Sequence, residues 1–507
     1  TMGDVDVVWH DGVYHLFHLV LPNHDFIAHA VSRDGLNWER VENAIFIGHP
    51  GSWDDHMLWT MHVTEDPHKP GSWRMFYTGL SRRDNGTVQR IGMARSNDLT
   101  HWEKAPHSWK SPVVEPPVRA GMISGRYDPD SPFPLCAGPP HYEHDVHNGK
   151  GWTSFRDPFY YRDGDRGLMI MAARVDSGPM IRRGCVGCAE EVAPGCFQLR
   201  PPIHHPGLYE DVEVPCLFRI DDRYYLIGCI REDVKVRYWH AASLNDPWEN
   251  YFDNVVLPSG NYAARVRWDD RGPMIWNFFP AGTGHSMNLM PPPKRLSTRE
   301  NGRLMVSSFE GYDRLVRSRK ELRDLVPLRV LRDNPHAVQK FDRDQDILTL
   351  LSLGGFEGFL VDEEVYCFRF RARIRLEGLG KCGLLFRYDP VTSDGYHLSL
   401  DLLKGLAQLR QWGRDPDASA EQAFAFRPLQ ASYWLAEQDR EWEIELVALQ
   451  TYLEFSIDGR VILSLADTTY STGCVGLYIE SACLSVRDAS LEELEPPSKP
   501  SADLPEG

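Results

Sequence analysis

The sequence has no run of about 18 apolar residues, the length a helix needs to cross a bilayer, so no membrane span is expected. Its first residues, Thr1-Met2-Gly3-Asp4-Val5-Asp6, lack a basic patch followed by an apolar stretch, and no signal peptide is visible. Positive charge is also scarce: 55 Lys and Arg face 72 Asp and Glu, a formal net charge of -17. Affinity for nucleic acid comes mainly from Lys and Arg displacing counterions, so no nucleic-acid partner is expected and a neutral ligand fits better. The ten cysteines do not form a disulfide framework. Many sit inside strand-like runs such as Glu364-Val365-Tyr366-Cys367-Phe368-Arg369, as small buried hydrophobes, which points to a reducing, cytoplasmic compartment. Cys185-Val186-Gly187-Cys188, with Cys196 beyond, has a zinc-like spacing, but it overlays a strand phrase described below, so neither a metal nor a cofactor is expected.

Helical periodicity is almost missing too, and what replaces it is repetition. Ile27-Ala28-His29-Ala30-Val31-Ser32-Arg33-Asp34-Gly35-Leu36-Asn37-Trp38-Glu39 returns as Ile91-Gly92-Met93-Ala94-Arg95-Ser96-Asn97-Asp98-Leu99-Thr100-His101-Trp102-Glu103, with weaker echoes from Val186 and Tyr238. Between these copies runs a second element, an aromatic or alternating strand preceded by a polar turn. It covers 11–18, 73–79, 167–172, 221–228 and 269–278. Strands rich in β-branched and aromatic residues, bounded by Gly, Asp and Asn, indicate an all-β fold. Five such units in about 290 residues suit a five-bladed β-propeller. After about Ser297 the character changes, then settles into clean alternation at 365–374, 442–447 and 453–457, the last ending in the hairpin signal Asp458-Gly459, which reads as a C-terminal β-sandwich. The expected division is a propeller over 1–295, a linker region over 296–340, a sandwich over 341–495 and a disordered tail over 496–507.

In a propeller the innermost strands converge at one end, so residues remote in sequence can meet there. Three carboxylates stand at the starts of candidate inner strands. Asp4 has a neighbour, Asp6, which strand alternation would put on the same face; an edge-strand pair at a frayed terminus is the plainer reading. Asp157 lies in Phe155-Arg156-Asp157-Pro158, where a turn-capping ion pair with Arg156 is the alternative. Glu213 opens Glu213-Val214-Pro215-Cys216-Leu217-Phe218, where a solvated glutamate is the alternative. Trp53, Trp59 and Trp152 are candidates for stacking on a ligand, against ordinary blade packing. Asp55 and His56 are candidates for contact with hydroxyls.

Taken together these segments resemble glycoside hydrolase family 32, the β-fructofuranosidases and fructanases, and more broadly the five-bladed furanosidases that include family 43. Arg156-Asp157-Pro158 looks like the motif holding the transition-state stabiliser, and Glu213-Val214-Pro215-Cys216-Leu217-Phe218 looks like the Glu-Cys-Pro-Asp-Leu-Phe motif carrying the acid/base. Tyr14-His15-Leu16-Phe17, Asp98 to Glu103, Asn261-Tyr262-Ala263-Ala264-Arg265 and Phe455 to Arg460 resemble further family segments. The opening departs from the family, since Met2-Gly3-Asp4-Val5-Asp6-Val7-Val8 stands where Trp-Met-Asn-Asp-Pro-Asn-Gly is usual, and Asp4 is the best register match to its nucleophile. The resemblance implies cleavage of furanosidic bonds, β-fructofuranosides first, by a retaining mechanism. Asp4 would be the nucleophile, Glu213 the acid/base and Asp157 the stabiliser, with Asp6, Trp53, Asp55, His56, Arg156 and Tyr262 binding substrate. Glu213 would need a raised pKa to hold its proton. A fructosyltransferase, an inverting arabinofuranosidase-like enzyme and a non-catalytic carbohydrate-binding propeller are the alternatives. The partner expected in each case is a carbohydrate, with self-association left open.

Overall fold

The computed structural model describes residues 1–111, 125–282, 288–328, 337–414, 424–437 and 439–497. Within them helix is confined to short 3-10 turns such as Arg82–Asp84 and Glu310–Leu315, and the remaining elements are strands. Five antiparallel sheets come first, each built from strands consecutive in sequence. Their first strands are Met2–His10, Met57–Glu65, Phe155–Asp163, Glu213–Ile220 and Tyr262–Asp269. Each of these packs on the next, and the fifth packs back on the first, so the five close a ring around a central axis. That is a five-bladed β-propeller, and closure protects the long strand edges that open sheets expose.

The repeated phrases map onto fixed positions in the blades. Phe26–Ser32, Arg90–Ser96, Gly184–Ala193 and Lys235–Ala241 are the third strands of the first four blades. The shared Ser-x-Asp explains the turn that follows. Asp34 Oδ1 accepts the backbone N–H of Leu36 and Asn37, and Asp98 Oδ1 accepts those of Thr100 and His101, all within 2.9 Å. A short side chain that caps its own turn competes well against strand continuation, so the sequence stops the strand where the repeat says it should. The second element gives the second strands, Val13–Val20, Trp73–Leu80, Arg166–Arg174, Arg223–Ile230 and Gly272–Phe278.

The chain divides into two compact units, one formed by Thr1–Pro280 with Met287–Met305 and a second formed mainly by Val306–Pro497. The second is a β-sandwich of an eight-stranded and a seven-stranded sheet. Its core interleaves alternate residues of both sheets, among them Leu350, Phe370, Ile374, Leu384, Phe386, Leu398, Leu446, Phe455 and Leu477, all nearly or wholly buried. Each contributes roughly 1.5–3 kcal/mol by leaving water. Among the described residues, the stretch 296–340 expected as a linker contains strands of both units. Lys294–Thr298 and Leu304–Ser307 complete the fifth blade, while Val316–Glu321 and Val326–Pro327 are already strands of the sandwich sheets. The basic-acidic composition of Val316–Glu321 misled because the strand pairs along only one edge, with Cys483–Leu494, and leaves its charges in solvent. The expected tail lies almost wholly outside the described residues. All ten cysteines are free thiols.

Candidate active site

All five inner strands run in one direction, and each has a register break near its start: between Met2 and Val5, Trp59 and Met61, Arg156 and Phe159, Glu213 and Cys216, and Tyr262 and Arg265. A bulge bends its strand and re-aims the side chain it carries. Here five equivalent bulges bring Asp4, Thr60, Asp157, Glu213 and Tyr262 to one end of the axis. In three blades the bulge holds a non-glycine residue in the left-handed region: Asp157 at φ 59°, Val214 at 47° and Ala263 at 51°. For a β-branched valine that conformation costs on the order of 1–3 kcal/mol, and it persists only where the surroundings over-determine it. They do: the Val214 N–H donates to Asp157 Oδ2 at 3.0 Å, and the Asp157 N–H donates to Thr78 Oγ1 at 3.0 Å. The strained backbone thus locks the two carboxylate-bearing strands together.

The three candidate catalytic acids are brought to one place. The Thr60 hydroxyl donates to Asp4 Oδ2. Burial, then the charges of Asp157 and Glu213, push the Asp4 carboxyl up to about 7, against the lowering effect of Thr60 and Arg265. Burial also raises Asp157, opposed by Arg156 and reinforced by Glu213. Asp157 and Glu213 are 3% and 5% exposed, a depth at which an unpaired carboxylate is costly. The compensating cation is Arg156, whose Nη2 donates to Glu213 Oε1 at 2.7 Å and whose Nε lies 3.6 Å from Asp157 Oδ2. Its other nitrogen is held by Ser154 Oγ at 2.6 Å, with Asp211 3.5 Å away. The Tyr262 hydroxyl donates to Glu213 Oε2, and burial together with the Glu213 charge keeps that phenol protonated. Arg156 and Tyr262 therefore join the cluster.

The other expected ligand-binding residues lie elsewhere. Asp6, two residues beyond Asp4, is wholly buried and serves a second layer: its Oδ2 accepts the Val63 N–H at 2.7 Å and lies 3.1 Å from His62 Nδ1, while Arg267 Nε is 3.4 Å from Oδ1. Simple alternation would have given both acids one set of partners, but the bulge between Met2 and Val5 breaks the period. Trp53 is 3% exposed and stacks on Tyr77 at 5.6 Å between ring centroids, so it packs the second blade and has no face free for a sugar. Gly79 and Gly92 make room for it, since a Cβ at either would stand 2.4 Å from the indole. Asp55 ties loops together, accepting the N–H groups of Gly51 and Arg82 at 2.8 Å. His56 is partly buried, with its ring against the Gly86 turn. Trp152, by contrast, borders the cluster, with the Arg156 guanidinium 5.5 Å and the Arg174 guanidinium 4.0 Å over its ring.

Two contributors were not foreseen. Thr60 occupies in blade two the bulge position that Asp4 occupies in blade one, and aligning the inner strands rather than the outer phrases would have shown it. Arg231, an exposed side chain at the end of a second strand, reaches 3.3 Å from Glu213 Oε1. Nothing in its local sequence marks it.

Fold and site together define a five-bladed β-propeller with an accessory β-sandwich and an acidic cluster at one end of the axis. The model of the glycosyl hydrolases family 32 N-terminal domain matches residues 4–130, so the resemblance to family 32 in sequence is confined to the first part of the chain. Beta-fructofuranosidase 1 of Zea mays is 32% identical over 139 residues, which is 26% of this chain and only 20% of that protein. Among solved structures, fructan 1-exohydrolase IIa from Cichorium intybus superposes with a TM-score of 0.66 at 14% identity, covering 98% of this chain and 96% of that one. Sucrose-6-phosphate hydrolase from Lactobacillus gasseri superposes with a TM-score of 0.64 at 13% identity, covering 97% and 91%. At such identities these likenesses establish the fold. Asp157 and Glu213 lie outside the matched segment, so their case rests on geometry.

Proposed function

We propose that the protein is a glycoside hydrolase that cleaves furanosidic bonds, β-fructofuranosides first, with retention of configuration. The observation that carries this reading is the meeting of Asp4, Asp157 and Glu213 at the bulged starts of three different inner strands. Cleaving a furanoside builds positive charge on the anomeric carbon and negative charge on the leaving oxygen, so carboxylates must lie on both sides of the bond. Asp4 attacks the anomeric carbon and forms the glycosyl-enzyme bond, while Glu213, which must first take up a proton, gives that proton to the departing oxygen. Glu213 then takes a proton from the water that releases the sugar, which restores both groups. Asp157, fixed by the Val214 N–H and paired with Arg156, places negative charge where the ring becomes cationic and accepts ring hydroxyls. Positive charge on the ring also draws the Asp4 proton equilibrium towards the ionised form that attack requires.

The test incubates the protein with sucrose, inulin, levan and aryl arabinofuranosides and follows the released sugar by NMR beside a Glu213→Ala control. Fructose released first as the β-anomer, and absent from the control, supports the reading. Release of arabinose, or of an inverted anomer, moves substrate or stereochemistry to the alternatives. Silence across the panel together with saccharide binding points to a non-catalytic carbohydrate-binding propeller.

A further inference from the structure

The inner strands end, away from the carboxylates, around a cavity of about 630 Å³. That is within the range of about 300–1,000 Å³ typical of small-molecule sites. Its walls include Trp9, Tyr161, Trp268, Glu65 and Arg267, over a floor that contains Phe159. Trp9 lies five residues along its strand from Asp4, about 17 Å at the rise of an extended chain. A ligand here would not meet the catalytic carboxylates.

The polar groups in this cavity have unspent capacity. Glu65 is exposed, and its carboxylate makes no hydrogen bond or ion pair among the described residues. Arg267 spends Nε on the Val7 carbonyl at 2.6 Å and Nη2 on the Val63 carbonyl, which leaves Nη1 with no acceptor among the described residues. Trp268 is 44% exposed and is buttressed by Phe218, 6.2 Å away with the two rings at 64°. Trp9 is braced by Tyr14 at 4.4 Å. The cavity therefore offers two supported indoles, a free acceptor and a free donor.

This combination selects one chemistry. A phosphate or carboxylate ligand would suit Arg267 but would meet Glu65 and Asp66. An organic cation would suit the indoles and Glu65 but would meet Arg267 and Arg162. A neutral polyhydroxylated ring uses everything present: its C–H face covers an indole, and its hydroxyls bridge the guanidinium donor and the carboxylate acceptor without burying net charge. We propose that this cavity is a second, non-catalytic binding site for a neutral sugar, at the opposite end of the propeller from the carboxylates. The inference goes beyond the hydrolase reading and does not depend on turnover.

The experiment titrates sucrose, a short inulin oligosaccharide and an arabino-oligosaccharide into a Glu213→Gln protein, which is expected not to consume them, with stoichiometry from calorimetry and contact from saturation-transfer NMR. Two sugars per chain are expected. Adding Trp268→Ala removes one of them, and adding Glu65→Gln weakens the same one about tenfold, the scale of a lost hydrogen bond to a charged group. Retained thermal melting shows that these exposed substitutions leave the fold intact. The proposal is overturned if Trp268→Ala changes nothing, if no saccharide binds, or if tetramethylammonium takes the cavity in preference to sugars. Binding of a single sugar that Trp268→Ala abolishes would support the second site while sinking the hydrolase reading; a single sugar that it leaves unchanged would do the reverse.

Discussion

Asp4 and Asp6 are two residues apart on one strand, both withdrawn from bulk water, and their environments drive them in opposite directions. At Asp4 burial and the neighbouring carboxylates lift the pKa to about 7, against the hydrogen bond that one threonine hydroxyl donates. At Asp6 burial pushes the same way, but Arg267 and His62 outweigh it and hold the group at about 2. The layer at the strand starts is a crowd of like charges served by few cations. The layer beneath pairs Asp6 with His62 and Arg267, while Arg265 and Arg267 donate to the carbonyls of Val7, Pro158 and Pro215. Strongly perturbed carboxylates gather where charge is to develop on a substrate, whereas a paired carboxylate with a depressed pKa is the mark of structure.

The contrast breaks first at Asp4. Asp4→Asn removes the attacking group, and turnover of any furanoside that the wild type cleaves should fall on the order of 10⁴-fold. The same change should stabilise the protein. Asp4 binds its proton more tightly folded than unfolded, so its contribution is complete below the ordinary value of 3.8 and is lost as the pH rises through about 7. Asparagine bears no such penalty, so the melting temperature at pH 8 should rise by roughly 2–4 °C over the wild type, and the gain should vanish at pH 4. Calorimetric scans at the two pH values check it. A loss of stability at pH 8 would mean that Asp4 is a structural acid like its neighbour.

Asp6 should do the reverse. Asp6→Ala strands Arg267 beside the axis with no carboxylate, which costs about 3–5 kcal/mol for a buried pair that loses one partner. Because the folded pKa is depressed, the stability that Asp6 supplies is present above about 3.8 and is lost as the pH falls towards about 2. The gap between variant and wild type in urea unfolding should therefore be widest near neutrality and narrow in acid. Turnover per folded molecule should change far less than for Asp4→Asn.

These differences also set what the sequence could reveal. The first two blades were legible because the turn after the third strand is specified locally there, by Ser-x-Asp capping its own backbone. Asp157, Glu213, Arg156 and Tyr262 were legible from short motifs at strand starts, and the structure gathers them. Trp53 was misleading, because a tryptophan seen only as a ring on a strand says nothing of the two glycines, remote in sequence, that clear its burial site. Asp6 was misleading for a different reason. A bulge adds one residue to one strand, and alternation cannot register it without the partner strand in view. Arg231 reaches Glu213 from a different strand, so only the folded geometry connects them.

Thr60 gives the finest test of the comparison, because it touches the perturbed carboxylate without taking part in bond making. Its hydroxyl donates to Asp4 and so favours the ionised form. The acid limb of kcat/KM, which reports the free enzyme, should lie near pH 7 if Asp4 must be charged to attack. Thr60→Val keeps the shape and removes the donor, so the carboxylate loses a stabilising hydrogen bond and the limb should move to higher pH by about one unit. Above that limb the rate should approach the wild-type value, since the nucleophile is intact once ionised. A pH profile measured with one furanoside substrate separates the cases. An unmoved limb would mean that it reports neither Asp4 nor Asp157, since the Thr60 hydroxyl favours the ionised form of both, and a uniform loss at every pH would make Thr60 a packing residue rather than one that sets the charge on Asp4.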